Sequence, residues 1–344
     1  MPKHLESQYA DSLIAEIAAH AWQWPPETLY IGGGTPSSID PATLAAIVQA
    51  LPAAVWAEAT LECAPGTITS ERIDAWLAAG FNRVSLGVQS FVKAELARTG
   101  RRHDAAIVAQ DVALLRSAGI ANINLDLIAG LPGQTEASWR ESLTAIEQLA
   151  PPHVSVYMLE VDEDSRLGSE LLLGGTRYGA SDVPGDEQIA AFYELAVEHL
   201  HRIGIERYEI SNFARTGYES RHNLKYWRRE PYIGFGADAH SFDGVRRWQN
   251  AESAADYLAR HLRGESVRIE TTSAVATEEK FFVGLRLSEG VHADVSDWDR
   301  FGPAFHRFLD GGLMERVTIS DQDRLRLTPR GIMISNEIFE EFVA

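Results

Sequence analysis

The chain has 344 residues, of which 45% are hydrophobic and 23% charged. That is the balance of a globular protein with a sizeable core, and it excludes disordered, collagen-like and coiled-coil classes. With 31 basic and 49 acidic residues the formal net charge is −18, which argues against general binding to nucleic acid or an anionic membrane. No apolar run approaches the roughly 20 residues of a membrane-spanning helix, and Met1 to Glu6 carry no signal-peptide pattern, so a cytoplasmic protein is expected. The single cysteine, Cys63, excludes an internal disulfide and any cysteine-clustered zinc or iron–sulfur site built from these residues alone.

In chain order, residues 8–22 place Leu13, Ile17 and Ala21 on one helical face, and Pro25-Pro26 is expected to end that helix. Strand-like runs follow at 28–31, 60–62, 83–86, 123–128 and 154–159, alternating with helical patterns near 41–51, 69–79, 104–118 and 135–149. Gly80 and Gly119 sit where helices turn into strands. Continuous apolar strands separated by helices predict an α/β fold: a parallel sheet covered on its outer side and curved into a partial barrel. Residues 160–185 predict a long excursion, 186–201 a helix and 206–210 a strand. Residues 212–250 are rich in aromatic, glycine and basic residues without periodicity. Helical patterns at 277–287, 295–309 and 330–342 around a ribbon at 316–319 and 324–327 outline a small winged-helix-like domain. The expected division is a barrel domain at 1–210, a connecting segment at 211–267 and the C-terminal domain at 268–344.

The most distinctive segment is Thr28-Leu-Tyr-Ile-Gly-Gly-Gly-Thr-Pro-Ser37, a strand running into three glycines. Glycine lets a ligand approach backbone donors and acceptors together, which suits a zwitterionic amino-acid head group. Neither a dinucleotide nor a P-loop glycine pattern is present. Further strand ends carry Glu62, Gln89 and Asp126, and the loop Thr99-Gly-Arg-Arg-His103 offers Arg101 as a cation for a carboxylate. Singly, each also suits a cap, a turn or a structural ion pair; their succession on consecutive strand ends points to one ligand site.

The order GGGTPS, the Glu62 strand, GVQSF, GRRH and NLDLIAGLPGQT resembles radical S-adenosylmethionine enzymes of the coproporphyrinogen-dehydrogenase group. His222-Asn-Leu-Lys-Tyr-Trp227 resembles the HNxxYW signature of the heme-chaperone (HemW-type) branch, as do the segments Tyr232–Phe242 and Arg326–Gly331. The resemblance runs from about Tyr9 to the C-terminus. It implies a partial (β/α)6 TIM-like barrel followed by the small winged-helix-like domain. It further implies S-adenosylmethionine contacts at Gly33, Gly34, Thr35, Glu62, Gln89, Arg101 and Asp126. The implied function is binding heme and passing it to heme-accepting proteins; the alternative is an oxygen-independent coproporphyrinogen III oxidase of porphyrin biosynthesis. The family opens with a strand and a C-x3-C-x2-C loop that holds a [4Fe–4S] cluster. Neither is present here, so the expectation is a shortened form of a longer protein, with a degenerate relative as the alternative, in either case without the first barrel strand and without radical chemistry of its own.

Between Arg215 and Arg229, the cations Arg215, Arg221, Lys225, Arg228 and Arg229 face a single acid, Glu219. His222 offers an imidazole for heme iron, Asn223 lies beside it, and Tyr226 and Trp227 offer flat apolar faces, with the cations left for propionates. Two other readings of the same residues stand beside this one: a basic loop docked on acids of its own chain, and an aromatic–basic surface for single-stranded nucleic acid. His240 is a weaker ligand candidate, and Trp248 and Asn250 carry no assignment.

Overall fold

A computed structural model describes residues 3–53, 55–159, 177–274 and 276–343. Contacts divide the chain into two compact units. A sheet unit comprises Leu29–Ile39 and Glu58–Glu219; a helix-rich unit comprises Met1–Thr28, Asp40–Ala57 and Ser220–Ala344.

The first elements are α1 (Lys3–Ala19), β1 (Thr28–Ile31), α2 (Pro41–Gln49), β2 (Glu58–Cys63), α3 (Ser70–Ala78) and β3 (Arg83–Gln89). There follow α4 (Lys93–Arg98), α5 (Ala105–Ser117), β4 (Asn122–Ala129), α6 (Glu136–Leu149) and β5 (His153–Met158). Next come α7 (Asp186–Arg202), β6 (Glu206–Arg207) and β7 (Asn212–Ala214). The sheet runs β1-β2-β3-β4-β5-β7-β6. β2 to β5 are parallel, as expected, but β7 pairs antiparallel with both β5 and β6. The α/β alternation therefore stops at β6, because the short β6 and β7 follow one another without a crossover helix.

The strands are not continuously apolar. Val84, Leu86, Ile123, Leu125, Leu127, Val154 and Val156 are buried, and alternating with them Arg83, Ser85, Asn124, His153 and Ser155 are buried as well. Alternation puts the two sets on opposite faces, so one face joins the apolar core while the other is a buried polar layer. Capping starts the helices where the sequence offers short oxygens: Asp40, Thr69, Asp104 and Thr135 each accept a hydrogen bond from the first turn. Trp139 of α6 donates to the Phe192 carbonyl of α7 at 2.7 Å, satisfying its buried indole nitrogen.

α1 ends at Ala19, well before Pro25, so the prolines are not its stop. His20 turns back onto the Ile17 carbonyl, and the His20 and Trp22 rings pack against Phe235. The strand expected at 206–210 is only Glu206–Arg207. Part of the 160–185 excursion lies outside the described residues. The helix-rich unit continues with α8 (Arg221–Trp227), β8 (His240–Phe242), β9 (Arg246–Asn250), α9 (Ala254–Leu262) and β10 (Arg268–Ser273). It closes with α10 (Ala276–Gly284), α11 (Val295–Asp310), the antiparallel ribbon β11 (Met314–Ile319) and β12 (Gln322–Leu327), α12 (Pro329–Met333) and α13 (Ser335–Glu340). The single helix expected at 330–342 breaks at Ile334, whose φ of −122° is not helical.

Candidate functional site

In the sheet unit the glycine run follows β1 directly. Gly33 and Gly34 have φ of +82° and +63°, and a Cβ on either would meet nothing within 4 Å, so open space lies beyond their backbone. Glu62, near the end of β2, braces this run: its Oε2 accepts from the Gly33 amide at 3.1 Å and its Oε1 from the Tyr30 hydroxyl at 2.6 Å. A Cβ on Gly32 would lie 2.8 Å from the Tyr30 ring and 2.9 Å from Oε1, so a larger residue there would push on the side chains that brace the run. Thr35 precedes the 3-10 turn Pro36–Ser38, whose Ser37 carbonyl accepts from Arg72.

Gln89 ends β3 with φ +67°, in the left-handed region, where the ladder to β4 slips between Leu86 and Gln89. That conformation costs about 1–3 kcal/mol and is the kind of strain found where a side chain must face a ligand. Asp126 accepts from Ser85 at 3.0 Å and from Asn124 at 2.6 Å, and burial raises its carboxyl above the ordinary range. Glu62, Gln89 and Asp126 thus come from three neighbouring parallel strands, and the open glycine run leads off the fourth. Arg101 is exposed on the loop after α4, its amide held by the Leu96 carbonyl. His103 is buried, with Nε2 3.0 Å from the Val88 carbonyl.

In the helix-rich unit, Ser220 caps α8 by accepting from the Asn223 amide. Both ring nitrogens of His222 are engaged: Nδ1 with the Thr28 hydroxyl at 2.8 Å and Nε2 with the Tyr226 hydroxyl at 2.7 Å. The Tyr226 ring meets Tyr232 edge-on at 4.5 Å, and burial raises its phenol. Trp227 lies 5.3 Å from the Arg286 guanidinium. The local cation excess is largely answered within this unit. Lys225 pairs with Glu27 and Glu230, Arg228 with Glu289, and Arg229 with Glu279. For these three cations the docking reading describes the geometry, and they are not left over for propionates. His240 is exposed in β8.

The model of the radical SAM superfamily matches residues 3–146. The heme chaperone HemW of Lactococcus lactis is 32% identical over 344 residues, covering 97% of this chain and 89% of that protein. Its counterpart in Escherichia coli is 35% identical, covering 98% and 90%, and that in Bacillus subtilis 34% identical, covering 92% and 85%. The chain belongs to the HemW family. Among solved structures, the radical SAM enzyme coproporphyrinogen III oxidase (HemN) of Escherichia coli superposes with a TM-score of 0.80, covering 99% of this chain and 84% of that one. At 21% identity that likeness shows a shared fold.

Against the cofactors that a HemW-family chain implies, the residues divide. The glycine run, open beyond Gly33 and Gly34 and braced by Glu62, fits S-adenosylmethionine. A cluster held by three thiolates does not fit these residues: the one thiol, Cys63, is buried within β2, and burial pushes its pKa up, away from the thiolate that binds metal.

Sequence reading missed two groups. One is the polar face of the sheet: His153 bonds Asn124 at 2.6 Å and Tyr208 at 2.9 Å, and Ser155 donates to Asn212 at 2.7 Å. Polar residues at every second strand position were the signal that could have found it. The other is Glu16 of α1, which accepts from Gly236, Asn250 and Tyr257. Nothing in the local sequence pairs α1 with residues more than two hundred positions away.

Proposed function

We propose that this chain is a cytoplasmic heme chaperone: it binds heme through the His222–Trp227 segment, passes it to heme-accepting proteins, and holds S-adenosylmethionine on the strand ends of its sheet unit. The relatives that share this chain nearly end to end carry the name heme chaperone. The observation that carries the reading is the pinned imidazole of His222 beside the edge-packed pair Tyr226 and Tyr232. A porphyrin is apolar and planar in its middle and needs an axial donor for its iron; aromatic rings and an oriented imidazole supply both. Because Lys225, Arg228 and Arg229 are already paired, recognition on this reading rests on the rings and the metal more than on the propionates. Iron taken at Nε2 would replace the Tyr226 hydrogen bond, while the Thr28 bond would keep Nδ1 oriented. S-adenosylmethionine, when bound, brings a sulfonium, an amino-acid head and ribose hydroxyls; the glycine amides and Glu62 suit the head and the ribose, and Gln89 and Asp126 complete the polar surround.

A hemin titration followed by Soret absorbance tests the proposal. Saturable binding is expected, weakened at least about tenfold by His222→Ala. Absence of saturation, or an unchanged affinity in the variant, refutes it.

A further inference from the structure

The polar face of the sheet carries a residue outside all of the sequence motifs. In the parallel pairing of β4 with β5, Ser155 lies opposite Asp126 and Tyr157 opposite Ile128. On the other side of β4, Gln89 lies opposite Leu127. Tyr157 and Gln89 therefore stand at neighbouring levels beyond Asp126, at the C-terminal ends of β5 and β3. Alternation puts His153, Ser155 and Tyr157 on one face, and the hydrogen bonds of Ser155 to Asn124 and Asn212 identify it as the polar one.

His153 and Ser155 are buried there, whereas Tyr157 is 43% exposed. Burial and the charges of Asp126, Glu209 and Glu62 raise the pKa of its phenol. Tyr30 mirrors it from β1: its hydroxyl donates to Glu62 and feels both Asp126 and Tyr157. Two phenols and two carboxylates from β1, β2, β4 and β5 thus gather around one place. A ring left part-open to solvent, with its oxygen held among acids, presents a ligand with an apolar face and a fixed polar tip.

We propose that Tyr157 is a binding residue for the sulfonium nucleoside on this face, its hydroxyl hydrogen-bonding the ligand beside Glu62 and Asp126. The proposal rests on the assignment of this face to S-adenosylmethionine and adds its fifth-strand contact. The acidic surround also sets the ligand class: a cation gains from it and a neutral analogue does not.

Equilibrium dialysis with S-adenosylmethionine on the whole chain tests this, with Tyr157→Phe, Glu62→Gln and the neutral-sulfur analogue S-adenosylhomocysteine as comparisons. Tyr157→Phe should bind S-adenosylmethionine about tenfold more weakly, the loss of one hydrogen bond to a polar ligand. Its melting temperature and hemin titration should match those of the wild type, and the wild type should favour the sulfonium over the analogue. Wild-type affinity in Tyr157→Phe alongside weakened Glu62→Gln would remove Tyr157 from the site and leave the site standing. Loss of melting temperature and hemin binding together with the nucleoside would make Tyr157 structural and overturn the proposal. A wild-type chain that holds no S-adenosylmethionine would refute the site assignment and the proposal with it.

Discussion

Replacing Glu16 with alanine is expected to cost the helix-rich unit about 3 kcal/mol, by removing the acceptor of three hydrogen bonds. Glu16 Oε2 accepts from the Gly236 amide at 2.9 Å and the Tyr257 hydroxyl at 2.7 Å; Oε1 accepts from the Asn250 side chain at 2.7 Å. Tyr257 is 0% and Asn250 2% exposed, so water does not readily replace the lost partner. Asn250 keeps one bond, to the Gly236 carbonyl at 2.9 Å. Hydrogen bonds to a charged group are worth about 1.5–3 kcal/mol each. Three of them, less the relief of dehydrating a half-buried carboxylate, leave roughly 3 kcal/mol. Glu16→Gln keeps one acceptor oxygen and should lose about half as much. Urea unfolding reads both, as a lower midpoint at unchanged slope. In Glu16→Ala/Tyr257→Phe the losses should be less than additive, since one deletion already breaks the shared bond. A loss below about 1 kcal/mol in Glu16→Ala, or strict additivity in the double variant, would refute the view that this carboxylate fastens α1 to the 236–257 segment.

Two further outcomes follow from the sheet unit. His153 is fully buried, and burial, with the nearby charge of Arg83, holds its pKa well below 6.5. Below about pH 6.5 the unfolded chain then binds a proton that the folded chain refuses, so stability falls as the pH drops, by about 1.4 kcal/mol per unit until the folded pKa is reached. His153→Asn should lack this component between pH 7 and 5, and wild-type and variant unfolding curves that run parallel across that range would contradict it. Gly32→Ala would place a Cβ 2.8 Å from the Tyr30 ring and 2.9 Å from Glu62 Oε1. Because the Glu62 tip can swing away, the melting temperature should change little. S-adenosylmethionine affinity measured by equilibrium dialysis should drop about tenfold, and an unchanged affinity would show that Glu62 need not stay where it is.

How much of the fold and site is legible in the sequence depends on the range of the interactions involved. Runs such as 28–31 and 83–86 reappear as β1 and β3 because local alternation and flanking glycines decide them. β3 runs on to Gln89 because its far end is held by pairing with β4, not by its own composition. Residues 212–250 show no periodicity, since β7 and β8 have three residues each and α8 seven, too short for a pattern to repeat. They are set by distant partners such as Glu16, Thr28 and Glu279. The basic segment misleads for the same reason: its acids, Glu27, Glu279 and Glu289, are remote in the sequence and adjacent in the fold. The proposed ligand residues can be found because glycine runs and strand-end acids are local features. Tyr157 cannot, because a tyrosine in an apolar-looking strand reads as core until the register shows which face it occupies.

That register also explains why the polar face is costly and why the cost has a use. A sheet covered by apolar packing alone would be more stable, since buried carboxylates and an unpaired guanidinium nitrogen such as Arg83 Nε lose hydration that hydrogen bonds only partly restore. Asp126 shows the imbalance directly: Ser85, Asn124 and Ser155 all favour its charge, yet burial outweighs them and raises its pKa. A group held in this state gains from any cation that can reach it. The same burial that destabilises the empty face therefore strengthens its attraction for a positively charged ligand, because the low local dielectric enlarges both terms together. On the proposed reading, stability given up along β2 to β5 becomes binding selectivity at their C-terminal ends. An apolar replacement of this layer would be expected to yield a sturdier sheet with no preference between a sulfonium and its neutral analogue.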